Sequence, residues 1–125
     1  MLAGSLDPVG FKEMRKRLSS STDEIDQVRL QDRFAEVQCT RIVDATTRGC
    51  VVISGEVQGI QVVPRAGSPW LEVTVGDGSG RAVAVFTGRK RIGGMEPGRA
   101  VLLEGMAGIV RGRLQLMNPA YTLLG

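Results

Sequence analysis

The sequence predicts an all-β domain, a small five-stranded barrel with a short helical extension at its N-terminus. Three observations predict it. Of seventeen glycines in 125 residues, fifteen lie after residue 47, which makes the later part of the chain rich in turns and bends. From about Gly49 the apolar residues alternate with a period of two, the period of a half-buried strand. Turn-forming clusters then recur at short intervals, so the strands between them are short. A chain of this length makes one domain with one small core. With 42% hydrophobic and 23% charged residues it sits near globular averages, so wholesale disorder is excluded, and collagen is excluded because the glycines keep no three-residue period.

The elements follow in order. Residues 1–10 read as a loose tail broken by Pro8 and Gly10. Phe11, Met14 and Leu18 recur at helical spacing, with Lys12, Arg15, Lys16 and Arg17 on the polar side. The run Ser19, Ser20, Ser21, Thr22 is expected to interrupt this helix and, by composition, is open to phosphorylation. Ser21 and Glu24 have the spacing of a capping box ahead of a second helix over roughly 22–36. Residues 1–39 are therefore expected to be an extension and residues 40–125 the barrel. A first strand runs from about Gly49 to Val63, with Gly55 and Gly59 as places to bulge or bend. A loop follows over Pro64–Pro69.

The second strand is Trp70–Val75, with Leu71, Val73 and Val75 on one face and Trp70, Glu72 and Thr74 on the other. The segment 76–80 is a glycine-rich hairpin turn, and Asp77 is expected to serve that turn. Arg81–Thr87 forms the third strand, where either Ala82, Ala84 and Phe86 or Val83 and Val85 are the inward set. Residues 88–98 leave room for one short helical turn. The fourth strand is Arg99–Ile109, Arg111-Gly112-Arg113 turns the chain, and the fifth is Leu114–Leu123. Five short strands with glycines in the first and fourth let a small sheet coil until it closes. Size and strand count suit the OB-fold, a Greek-key barrel. An SH3-like barrel is the nearest competitor, and the long break at 88–98 favours the OB-fold.

The residue types present exclude several chemistries. No histidine occurs, so the Ser-His-Asp and Cys-His arrangements are impossible. Cys39 and Cys50 are too few for a zinc site or a disulfide framework. No Walker-type phosphate loop is present, and the glycines at 76, 78 and 80 have neither the spacing nor the strand-to-helix setting of a dinucleotide site. Neither a signal peptide nor an apolar run of membrane-spanning length is found, so a reduced, cytoplasmic location away from membranes is expected. The four glutamates of the barrel (Glu56, Glu72, Glu96 and Glu104) are dispersed rather than clustered as a nuclease needs. No enzyme, no cofactor and no metal is expected. Net charge is +3 overall, made of −1 over residues 1–47 and +4 over residues 48–125. The barrel is thus the basic part, with a mild bias toward a polyanion.

Several short stretches occur in an order that resembles a family. They are Gly55-Glu56-Val57, Leu71 to Val75, Asp77-Gly78-Ser79-Gly80, Val85-Phe86, Glu96 to Arg99, Leu103-Glu104-Gly105 and Asn118-Pro119-Ala120-Tyr121, with Thr40 to Asp44 leading in. Together they resemble the OB wedge domain of the RecG branch-migration helicase. They are closer still to small stand-alone bacterial OB-fold nucleic-acid-binding proteins with an N-terminal helical segment. The resemblance covers residues 40–125. It implies a nucleic-acid partner, single-stranded or branched; branch migration is not carried over, because this sequence holds no Walker-type phosphate loop of a motor.

In OB domains that bind single strands, the ligand crosses strands two and three and is flanked by the loops after strand one and between strands four and five. Those places hold Trp70, Glu72 and Thr74, Arg65 in the first loop, and Arg111 and Arg113 in the last. Trp70 offers a flat surface on which a base can stack, or else it caps the barrel mouth or packs on the helix. Arg89, Lys90 and Arg91 form the densest basic run of the barrel, suited to phosphate contact or to a solvated loop, and Arg81 is a weaker candidate. The basic helix face reads as a wet surface rather than a binding one. With five aromatic residues in the chain and one of them on the expected face, binding is expected to be weak, micromolar or poorer, and without strong sequence preference. The other reading is an adaptor that binds a protein, or a second copy of itself through the Phe11–Leu18 segment, since fold does not fix function.

Overall fold

The computed structural model describes residues 11–45 and 49–125, and over residues 11–22 the backbone alone. The expected tail over 1–10 and the side chains of Lys12, Arg15, Lys16 and Arg17 lie outside the described residues. Helix α1 spans Phe11–Phe34, and a single 3-10 turn covers Ile42–Asp44. Strands β1 (Cys50–Arg65), β2 (Ser68–Gly76), β3 (Arg81–Thr87), β4 (Ala100–Val110), β5 (Arg113–Met117) and β6 (Ala120–Leu123) follow.

The barrel closes because β1 is long enough to pair twice. Its first part, from Cys50 to Glu56, runs antiparallel to β4, and its second part, from Glu56 to Arg65, runs antiparallel to β2. The ring continues through β2–β3 antiparallel, β3–β5 parallel and β5–β4 antiparallel pairs. The change of partner in β1 falls where glycine was expected to bend it. A bulge lies between Val57 and Gly59. At Gly55 an added Cβ would sit 3.1 Å from the Gly76 backbone, so the strands cross closely there and a side chain would press on the neighbouring strand. Five strands in one ring, with the parallel β3–β5 pair and the Greek-key order, are the OB-fold.

The core is the inward row of each strand. Ile53, Val57, Leu71, Val73, Val75, Val101, Leu103 and Leu116 are fully buried, and Ile92 and Met95 fill the barrel from the β3–β4 connection. On β3 the inward set is Ala82, Ala84 and Phe86, while Val83 and Val85 are also buried. Tyr121 packs edge-on against Phe86, with ring centroids 5.7 Å apart. Cys39 and Cys50 are free thiols.

Four elements depart from the sequence reading. The serine run does not interrupt the helix, and the capping box at Ser21 does not start one: the backbone is helical without a break from Phe11 to Phe34. Each Ser or Thr costs at most ~0.7 kcal/mol in a helix, too little to break one whose later turns are docked. The stretch Pro64–Pro69 is a tight hairpin rather than a loop. Pro64 faces Pro69 across the ladder, and Ala66 (φ 44°) and Gly67 (φ 78°) alone make the turn. Residues 88–98 form turns without a helix. The fifth strand is divided at Asn118-Pro119. Proline has no N–H for the ladder, and Asn118 (φ 47°) turns out of line to donate its N–H to Val85 O (2.6 Å) and accept Thr87 N–H on Oδ1 (2.9 Å).

The docked part of α1 lies at the β2–β3 turn end of the barrel. Leu30 and Phe34 are buried with Ala100, and Gln31 Nε2 donates to Gly78 O (3.1 Å). Arg29 and Arg33 both reach Glu56. The Arg29 hydrogen bond, with Arg33 adding to it, holds the Glu56 carboxyl below its ordinary value against the opposing effect of desolvation. Asp77 does more than serve its turn. It is buried, accepts from Ser79 N (2.9 Å), Ser79 Oγ (2.7 Å) and Gly80 N (3.2 Å), and takes Ile42 N–H (2.9 Å) on its other oxygen. That carboxylate clasps the segment entering the barrel to the β2–β3 turn.

Candidate nucleic-acid interface

The outer face of β2 is built as alternation requires: Leu71, Val73 and Val75 point into the core, and Trp70, Glu72 and Thr74 point out. Register then sets what lies beside them. Val63 faces Trp70 and Gln61 faces Glu72 on β1, while Val83 of β3 faces Thr74 on one side and Gln115 of β5 on the other. The β4–β5 hairpin folds over this face through a two-residue turn at Arg111 (φ 54°) and Gly112 (φ 76°), the positive pair that suits right-twisted strands.

The result is a groove of about 590 Å³ walled by Arg65 and Trp70 on one side and Arg111 and Arg113 on the other, with Glu72, Val83 and Gln115 between them. A second hollow of about 210 Å³ shares Glu72, Val83 and Arg113 and runs on over Thr74 to Gly59, Ile60 and Gln61. At ~4.8 Å per strand the path across β1, β2, β3 and β5 is roughly 14 Å wide. Among the described residues Arg65, Arg111 and Arg113 form no ion pair with a carboxylate; the ion pairs there belong to Arg29, Arg33 and Arg41. Three guanidinium groups without an acidic partner, against the one carboxylate of Glu72, leave the groove positive.

Trp70 is half-buried, not a bare platform. The Arg65 guanidinium lies over its ring at 5.0 Å from the centroid, a cation–π contact that orients both groups. A base stacking here either takes the other ring face or displaces Arg65.

The structure thus brings together six of the ten sequence candidates: Arg65, Trp70, Glu72, Thr74, Arg111 and Arg113. The others lie elsewhere. Arg81 opens β3 beside α1 in a separate hollow with Asp23, Asp26 and Gln58. Arg89, Lys90 and Arg91 are exposed on the β3–β4 connection and do not line the groove. Sequence reasoning missed Gly59, Ile60, Gln61, Val83, Val110 and Gln115 as groove residues. Gln61 could not be placed by counting on from Val57, because the bulge between Val57 and Gly59 shifts the phase of β1, and Val83 and Gln115 meet only through the parallel β3–β5 pairing, a long-range contact with no local signal. Among the described residues no group of three or more Cys, Asp or Glu is placed to hold a metal, and no helix is long and apolar enough to cross a membrane.

No protein-family model and no curated protein matches this sequence. Among solved structures, the chain is similar to the OB domain of Ta0387 from Thermoplasma acidophilum (TM-score 0.53, 15% identity, over 68% of this chain and 85% of that one). It is similar also to an OBody bound to hen egg-white lysozyme (TM-score 0.53, 16% identity, over 70% of this chain and 95% of that one). The Stn1–Ten1 complex of S. pombe aligns with a TM-score of 0.49 at 25% identity over 60% of this chain, and the match spans 57% of that relative's chain. Ring topology and the two likenesses with a TM-score of 0.53 agree on the class: the chain carries an OB-fold domain.

Proposed function

We propose that the barrel, residues 40–125, binds nucleic acid as a non-catalytic module. The ligand is a single-stranded or branched DNA or an RNA strand, held weakly and without strong sequence preference, in a reducing compartment such as the cytoplasm. The observation that carries this reading is the groove over β2, β3 and β5, where Trp70 stands among three arginines that form no ion pair among the described residues. Arg65, Arg111 and Arg113 take phosphates by charge, and Trp70 takes one base by stacking, so the groove fixes a strand's position while reading little of its sequence. Glu72 in the floor opposes phosphate and keeps affinity low. The resemblance of residues 40–125 to RecG-type wedge domains supports the same partner.

Fluorescence anisotropy with labelled single-stranded, duplex and forked DNA and single-stranded RNA tests the proposal, with Trp70 emission recorded in parallel. Salt-sensitive binding accompanied by a Trp70 change is the expected result. Absence of binding at the lowest salt overturns it. The chain is then an adaptor for a protein, a reading that the exposed Ile25 and Val28 of α1 support.

A further inference from the structure

The face of α1 turned away from the barrel is more apolar than a solvated helix requires. Leu30 and Phe34 are buried with Ala100, whereas Ile25 and Val28 stand 70% and 54% exposed. At 100° per residue the direction of Ile25 and Val28 is nearly opposite to that of Leu30 and Phe34. Extended along the unbroken helical backbone, the same stripe falls on Phe11, Met14, Leu18, Ser21, Ile25 and Val28, spaced three, four, three, four and three. That is the a/d spacing of a coiled-coil seam. The residues before Asp23 enter through their place in the helix and the sequence alone.

We propose that α1 pairs with α1 of a second copy of this chain as a short antiparallel coiled coil over Phe11–Val28. The occupant follows from charge. Residues 12–17 carry four cations and one carboxylate, net +3, and residues 23–26 carry three carboxylates. A parallel pair stacks each block on its like. An antiparallel pair sets the basic block of each helix against the acidic block of the other.

One register satisfies the apolar stripe as well: Phe11 opposite Val28, Met14 opposite Ile25 and Leu18 opposite Ser21, each twice by symmetry. It leaves Asp32, the next seam position, outside the overlap. In this register Arg17 flanks Glu24 of the other helix on both sides, whereas in a parallel pair Arg17 would flank Thr22 and Glu24 would flank Arg29. Arg29 and Arg33 remain on Glu56, so pairing leaves the docking of α1 on its own barrel intact.

The test is sedimentation equilibrium of the full chain across the micromolar range without nucleic acid. The mass is expected to rise from 13.4 kDa toward twice that value. The paired substitution Ile25→Asp with Val28→Asp is expected to hold it at 13.4 kDa, with thermal melt and Trp70 emission at low concentration unchanged because both residues are exposed. Arg17→Glu alone and Glu24→Arg alone each turn two attractive flanking contacts into repulsive ones. Each is expected to weaken association about tenfold, and the two together to restore it. A monomer at every concentration overturns the proposal, as does a dimer indifferent to Ile25→Asp with Val28→Asp. Loss on Glu24→Arg without rescue by Arg17→Glu is the parallel pattern and overturns the antiparallel register.

Discussion

Neutralising the β4–β5 hairpin should flatten the salt dependence of nucleic-acid binding by an amount that the groove composition sets. Arg65, Arg111 and Arg113 are the cations that line the groove. If each neutralises one phosphate, log K falls with log salt at about −0.7 per contact, a slope of about −2.1 for a single strand. A fourfold rise in salt then weakens binding about 18-fold. The variant Arg111→Asn with Arg113→Gln leaves Arg65 alone, with a slope of about −0.7 and a loss of roughly threefold over the same range. Asparagine is the proper replacement at 111 because the φ of 54° there is one it tolerates better than alanine does. The hairpin is thus kept while the charge is removed, and the melt should not fall. Anisotropy titrations of a labelled oligonucleotide at several salt concentrations read the slope directly. An unchanged slope in the double variant would refute the assignment of this hairpin to phosphate contact.

Trp70→Ala should cost ~1–3 kcal/mol of binding, the worth of one stacked base, read as a rise in Kd in the same titration with the melting temperature as control. Glu72→Gln should tighten binding about threefold, since a carboxylate ~7 Å from a phosphate costs roughly 0.6 kcal/mol in a water-like dielectric; a weaker Gln variant would show that Glu72 accepts a hydrogen bond from the ligand. Gly78→Ala should destabilise the fold by at least ~1 kcal/mol from the left-handed φ of 88° alone. Its Cβ would also run into the Gln27 carbonyl and lie 2.9 Å from Gln31 N, so calorimetry should show a lowered transition with α1 displaced. The Glu56 carboxyl is held below its ordinary value by Arg29 and Arg33. Its contribution is therefore complete above the usual carboxylate pKa of ~4.3 and lost as pH falls below that. Melts between neutral and acid pH should fall less steeply for Glu56→Gln than for the natural chain.

What the sequence showed about the fold, and what it hid, divides by the range of the interaction. Arg81–Thr87 was bounded to the residue and the two faces of Trp70–Val75 were assigned correctly, because period-two alternation is local and the flanking glycines end each run. The bulge beside Gly59 was legible for the same reason. The serine run in α1 was misread because propensity was weighed without the docking of Leu30 and Phe34, which only the tertiary structure supplies. Pro64 and Pro69 were read as loop markers, yet prolines are tolerated where strands end at a hairpin, and these two face one another across the ladder. At the groove, Trp70, Glu72 and Thr74 were found because their outward phase on β2 could be counted, and Arg65, Arg111 and Arg113 because OB domains set those two loops beside the ligand path. Val83 and Gln115 were not, since parallel pairing of β3 with β5 brings together segments thirty residues apart.

Under the proposed binding mode net charge is a poor guide to the binding face, because what matters is which cations remain without an acidic partner. Arg29 and Arg33 belong to Glu56 and Arg41 to Asp44, and at the helix end Asp77 spends its charge on backbone and serine donors. The carboxylates of Glu56, Asp44 and Asp77 are thus engaged there, while Arg81 forms no ion pair among the described residues and lies in a hollow with Asp23 and Asp26. At the other end three arginines converge on one side of the sheet with Glu72 as the opposing charge, so the +3 of the whole chain understates the local field. The densest basic run, Arg89 to Arg91, has charge but lines neither hollow of the candidate interface, and charge alone gives only diffuse attraction. Substituting all three of those residues by glutamine should therefore slow encounter with a polyanion and leave the Trp70 response at saturation unchanged. Losing that response would mean that the strand leaves the groove and continues over the β3–β4 connection.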